Sequence, residues 1–214
     1  MVLIVNLKSY DLTRLRTLSV CRAAAQLDAP IIIAPNPFFL SEASHICRVF
    51  AQHVDDTEAD RNTGFLPAAV AKRAGASGSI INHSEHRVPK ETIKALIDRL
   101  RALKMTSVIC ARDDREARLL AAYGPDYIAV EPPALIGGAV SVSTADPALI
   151  ERSVRVVTSV DAKVKVLVGA GIRTADDIRV ARSFGAHGVL LASEVAKSSR
   201  PKETMKRLLR GFED

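Results

Sequence analysis

Short apolar runs recur along the chain at nearly even intervals, with longer amphipathic stretches between them. The runs fall at 2–5, 31–34, 51–54, 79–81, 107–110, 127–130, 164–168 and 188–191, and most are built from Val, Ile and Leu. Continuous runs of this kind, a few residues long and bounded by polar or glycine positions, predict strands buried on both faces. The third run, Ala51-Gln52-His53-Val54, is the weakest because it is short and polar. The stretches 12–27, 38–49, 66–74, 90–103, 113–122, 146–160, 175–184 and 201–211 predict helices. Within 90–103, Ile93, Leu96, Ile97 and Leu100 make one apolar stripe, opposed by Lys94, Asp98 and Arg101. Helix starts are signalled by Thr174 ahead of Asp176 and Asp177, and by Asp146 ahead of Pro147. Gly75, Gly124 and Gly185 stand where helices should stop.

Strand and helix alternate throughout, which predicts βαβ units, a parallel sheet and the α/β class. Eight units at this spacing point to closure into a (β/α)8 barrel with right-handed crossovers rather than to an open doubly wound sheet. No linker, low-complexity tract or charge block interrupts the pattern, so 1–214 reads as one barrel domain.

Composition narrows the picture. The chain has no Trp and only 4% aromatic residues, yet 48% of it is hydrophobic, so the core must be Val, Ile, Leu and Ala. The net charge of +6 is spread among interspersed acids and bases with no basic run, which argues against a nucleic-acid partner. Cys21, Cys47 and Cys110 are odd in number and follow neither disulfide nor metal-ligand spacing, as suits a reducing compartment. The N-terminal apolar run is too short for a signal peptide and lacks a basic leader. No stretch approaches the ~20 apolar residues of a membrane span. A cytoplasmic protein with no membrane partner is expected.

In a parallel barrel, chemistry gathers where the strands end. The first strand ends in Asn6-Leu7-Lys8, the fourth in Asn82-His83-Ser84-Glu85 and the sixth in Glu131-Pro132-Pro133. The seventh ends in Gly169-Ala170-Gly171 and the eighth in Ala192-Ser193. Taken singly, each has an ordinary reading: Lys8 as a solvated loop lysine, His83 as a hydrogen-bonded histidine, Glu131 as a strand-end partner of some base, Gly169 and Gly171 as a tight turn. Thr174 reads as a helix cap, Cys110 as a small buried residue near the site, and His45, His53, His86 and His187 as structural or surface residues. Joint placement at one rim outweighs the separate readings. The last two turns suit a phosphate, because glycine and small residues expose backbone N–H groups just ahead of helix N-termini.

These segments resemble the triosephosphate isomerase family, in its shorter archaeal-type branch. Asn6-Leu7-Lys8 matches the Asn-x-Lys opening and His83-Ser84-Glu85 the segment after strand four. Glu131-Pro132-Pro133-Ala134-Leu135-Ile136-Gly137 is similar to the strand-six end and mobile lid. Gly169-Ala170-Gly171-Ile172 and Leu190-Leu191-Ala192-Ser193 resemble the two phosphate turns, so the likeness runs from Asn6 to Ser193 in the family's order. The lid departs from the branch, with Gly138-Ala139 where Thr-Gly is usual, and the segment 55–61 is more acidic than expected.

The resemblance implies a TIM (β/α)8 barrel that interconverts dihydroxyacetone phosphate and D-glyceraldehyde 3-phosphate through an enediolate, in glycolysis and gluconeogenesis. It implies Glu131 as general base, His83 as a neutral imidazole polarising the carbonyl, and Lys8 as fixed positive charge. Asn6, Lys8, Ile136, Gly137, Gly171, Ala192 and Ser193 would bind substrate, with Glu85 supporting Lys8 or His83. No metal or cofactor is implied. Self-association as a homodimer or homotetramer is, through the loop around Thr63-Gly64. The alternative is another phosphate-binding barrel enzyme, which would share the last two turns but has no use for the His-Ser-Glu and Glu-Pro-Pro pair.

Overall fold

In a computed structural model, which describes residues 1–136, 138 and 141–213, the predicted alternation is realised. The strands are β1 (Val2–Asn6), β2 (Ile31–Ala34), β3 (Gly78–Ile81), β4 (Thr106–Ala111), β5 (Tyr127–Val130), β6 (Lys165–Val168) and β7 (Gly188–Leu191). The helices are α1 (Arg14–Ala25), α2 (Leu40–Ser44), α3 (Ala68–Arg73), α4 (Lys90–Ala102), α5 (Asp114–Ala121), α6 (Val142–Ala145), α7 (Pro147–Val160), α8 (Ala175–Ser183), α9 (Ser193–Ala196) and α10 (Pro201–Leu209). All strand pairs are parallel, in the order β2-β1-β7-β6-β5-β4-β3.

The eighth stave is the segment 49–51, which closes the sheet between β2 and β3. Val49 bridges Ile33 and Ala51 bridges Ser79, both in parallel. Phe50 donates its N–H to Ile33 O at 3.0 Å, and Ala51 to Gly78 O at 2.9 Å. The weak third strand therefore begins at Val49 rather than Ala51, and the helix expected over 38–49 shrinks to a 3-10 turn followed by α2. Barrel filling accounts for the shift. Phe50 is fully buried inside the barrel beside Ile4, Ile32, Ile80, Val108, Leu167 and Leu190, while Val49 and Ala51 face the helix layer. Gly78 makes room for it: a Cβ there would stand 2.6 Å from the Phe50 ring.

Strand alternation divides the core in two. Val2, Ile4 and Leu190 point into the barrel, whereas Leu3, Val5 and Leu191 pack outward under the helices. Gly75, Gly124 and Gly185 end helices with φ of 93°, 65° and 87°, a conformation glycine adopts without strain. Thr174 caps α8 in a reciprocal box with Asp177, as expected.

Candidate active site

Asn6, Lys8 and His83 are held at strand ends by hydrogen bonds. Beyond β1 the chain turns sharply at Lys8, whose φ is +47°. Asn6 Oδ1 accepts the Lys8 N–H at 2.8 Å, and Gln52 Nε2 donates to both Lys8 O and Ala34 O at 3.0 Å. The turn delivers the Lys8 ammonium to Glu85 Oε1, 2.7 Å away. After β3, the buried Asn82 takes a φ of +62°, a region asparagine tolerates better than most residues. Its Nδ2 donates to Cys110 O at 3.0 Å, which points the next residue, His83, across the rim.

Among the described residues four non-glycines have positive φ, and Lys8, Asn82 and Ala170 all lie at this rim. Each such residue costs on the order of 1 kcal/mol, and their clustering marks a functional constraint.

The His83 ring is buried, and its Nδ1 accepts the Glu85 backbone N–H at 3.2 Å. The Glu85 carboxylate lies farther from that nitrogen, at 3.6 Å. An amide donor on Nδ1 requires a lone pair there, so the hydrogen bond assigns the ring proton to Nε2. That nitrogen faces Glu131 Oε2 across 3.6 Å, beyond hydrogen-bond range.

Glu131 follows β5 and is 6% exposed. Burial pushes its carboxyl above the ordinary glutamate range; the His83 ring, the Cys110 thiol and Lys8 pull in the other direction. Oε2 is buried without a hydrogen-bond partner among the described residues, a condition that costs about 1–3 kcal/mol and is seldom tolerated without reason. Cys110 beside it is itself buried, which raises the thiol well above its usual range and keeps it protonated.

Across the cavity lie the two turns. Gly171 has φ +73°, and the backbone N–H groups of Gly171, Ala192 and Ser193 have no partner among the described residues. Asn6, Lys8, His83, Glu131, Ile136, Gly171, Ala192 and Ser193 border one cavity. Glu85 sits behind, lining a neighbouring cavity with Lys8 and His83. Gly137 and Ala139 lie outside the described residues. An unspent carboxylate oxygen, an imidazole N–H and several backbone N–H groups therefore converge on one small volume. That set can hold an anion, donate to a carbonyl oxygen and take a proton from carbon.

Some neighbours were not singled out by sequence. Tyr10 and Arg173 line the same cavity. Gly169, read as part of a turn, makes room for Glu131: a Cβ there would meet Glu131 Cγ at 2.4 Å. His53 and His86, taken as unrelated, stack with ring centroids 4.0 Å apart beside the second cavity, and burial pushes the His53 ring down. Among the described residues no His, Cys, Asp or Glu cluster could hold a metal ion, and no helix is long and apolar enough to cross a membrane.

The family model described as triosephosphate isomerase matches residues 1–208. A triosephosphate isomerase from Cenarchaeum symbiosum is 40% identical over 213 residues, covering 97% of this chain and 96% of the relative. That of Methanothermobacter thermautotrophicus is 40% identical, covering 95% and 92%. That of Methanocaldococcus jannaschii is 36% identical, covering 98% and 99%. With the barrel, the rim and this full-length similarity together, the chain belongs to the triosephosphate isomerase family.

Proposed function

We propose that this protein interconverts dihydroxyacetone phosphate and D-glyceraldehyde 3-phosphate by carrying one proton between adjacent carbons. The unpartnered Oε2 of buried Glu131, 3.6 Å from His83 Nε2, carries the reading. A buried carboxylate with one oxygen unpaired is a stronger base than one in solvent, and the gap leaves it free to meet a C–H. His83 Nε2–H donates to the substrate oxygens, stabilising the enediolate as charge builds on them; triosephosphate isomerase is itself the standard example of a neutral histidine in this role. Lys8 adds positive charge to the same side, and Glu85 holds it in place. Gly171, Ala192 and Ser193 offer N–H groups to the phosphate, with Asn6 bracing Lys8 and Ile136 at the edge of the closing lid. Closure keeps water from the enediolate, which would otherwise lose its phosphate; this family's lid is a standard case of such gating.

A coupled assay in which D-glyceraldehyde 3-phosphate is supplied and the dihydroxyacetone phosphate formed is reduced by an NADH-linked glycerol-phosphate dehydrogenase tests the reaction. Turnover supports the reading, and its absence in folded protein removes it. Glu131→Asp draws the carboxylate back by one methylene and should lower kcat about 100-fold or more, with KM within about threefold.

The protein acts in the cytoplasm as a homo-oligomer, either dimer or tetramer, joined through the loop around Thr63-Gly64. Exposed aromatics support this: Phe65 beside that loop is 54% exposed and Phe38, near the second cavity, 91%. Light scattering gives the subunit number, and Phe65→Asp should lower it.

A further inference from the structure

We propose that Arg173 is a substrate-binding residue whose guanidinium meets the outer charge of the substrate phosphate. The proposal rests on the isomerase reading and extends its phosphate subsite. Arg173 stands two residues beyond Gly171 and lines the same cavity as Lys8, Gly171 and Ser193.

Its backbone is fixed. The Arg173 N–H donates to Asp177 Oδ2 at 3.1 Å, the carboxylate that also closes the α8 capping box. Its side chain is loosely held. Among the described residues its one ion-pair partner is Glu194, whose Oε2 lies 3.5 Å from Nε. The terminal nitrogens Nη1 and Nη2 have no hydrogen-bond partner there. Glu194 has a closer companion in Arg207, 2.5 Å from Oε1. Two guanidiniums thus share one carboxylate, and the more weakly held one belongs to the residue that lines the cavity.

Charge balance shows why it is needed. The Lys8 ammonium is matched by Glu85 at 2.7 Å, and the backbone N–H groups of the two turns carry only partial charges. A triose phosphate arrives with nearly two negative charges. Arg173 adds a second full positive charge to that of Lys8, and its planar fork offers two parallel N–H donors to two phosphate oxygens. Because Arg207 holds Glu194, Arg173 can turn to the ligand without stranding that carboxylate.

The competing role is structural, with Arg173 merely tying the β6 turn to the β7 turn through Glu194. Two variants separate the roles. Arg173→Gln should raise KM for D-glyceraldehyde 3-phosphate and the calorimetric Kd for inorganic phosphate by about tenfold. That is the low end for a charge-assisted bond, since the guanidinium is half exposed. The kcat should stay within about twofold, and Arg173→Lys should recover part of the loss. Glu194→Gln breaks the same ion pair but frees Arg173, so KM and phosphate affinity should hold or improve. Equal losses in the glutamine variants of Arg173 and Glu194, or phosphate affinity within twofold of wild type in Arg173→Gln, overturn the proposal. Phosphate binding is read without turnover. Wild-type protein that binds phosphate but fails to isomerise therefore sinks the isomerase reading, whereas an active wild type matched by Arg173→Gln sinks this one alone.

Discussion

Gly169→Ala offers a sharp test of how the base is held. The added methyl would lie 2.4 Å from Glu131 Cγ, 2.5 Å from Oε1 and 2.7 Å from Cδ. Ordinary contacts begin near 3.4 Å, so the carboxylate must retreat by about 1 Å. All three atoms move together when the Glu131 side chain rotates about its Cα–Cβ bond, so the barrel should survive at about 1–3 kcal/mol of overpacking. Catalysis should not be so tolerant. A displacement of about 1 Å from a productive geometry costs on the order of 100-fold in rate, near 2.7 kcal/mol of transition-state stabilisation. The phosphate turns are untouched, so KM for D-glyceraldehyde 3-phosphate should stay within about threefold. The coupled assay gives both constants, and a thermal melt confirms folding. In a Glu131→Ala background, which lacks Cγ, Cδ and Oε1, the methyl meets none of these atoms, and its added effect on residual activity should fall below about tenfold. A kcat within threefold of wild type, or equal losses in both backgrounds, would refute steric seating of the base by Gly169.

Glu131→Gln should raise the Tm at about pH 8 while abolishing isomerisation. Burial raises the carboxyl's pKa, so the folded state keeps a proton the unfolded chain has released; stability falls as pH climbs through the folded value, and that penalty is absent below about pH 4. A Tm lower than wild type at both pH values would contradict it. For the same reason the acid limb of kcat/KM should sit above the ordinary glutamate range, measured as a pH–rate profile. Lys8→Ala should lower kcat/KM at least about 100-fold and raise KM as well, since it removes fixed charge from the cavity; wild-type kinetics would discard the Lys8 assignment. Phe50→Ala, which empties the barrel interior beside Gly78, should cost about 3–5 kcal/mol in a urea titration, and a loss under about 1 kcal/mol would show that 49–51 is not a packed stave.

Periodicity and local chemistry were enough to predict the class, the order of the staves and the rim residues. Buried parallel strands read as unbroken apolar runs, and helix caps such as Thr174 with Asp177 are made by neighbours in sequence. Lys8, His83 and Glu131 were legible because a parallel barrel sends every strand end to one face. The motif could not show their geometry. The Glu85 N–H fixes the His83 tautomer from two residues away, but the pairing of Glu85 with Lys8 and the burial that leaves Glu131 one oxygen short of a partner among the described residues depend on segments distant in the chain. The third stave was misplaced for a related reason. Val49-Phe50-Ala51 is too short to declare a period, and Phe50 faces inward only because the other seven strands leave a volume it fills. Gly169 looked like a turn glycine until the carboxylate packed on it, and His53 met His86 only once the rim had assembled. Sequence determined what could be settled by hydrophobic rhythm and nearest neighbours. Close packing, which brings distant atoms to within a few ångströms, decided the rest.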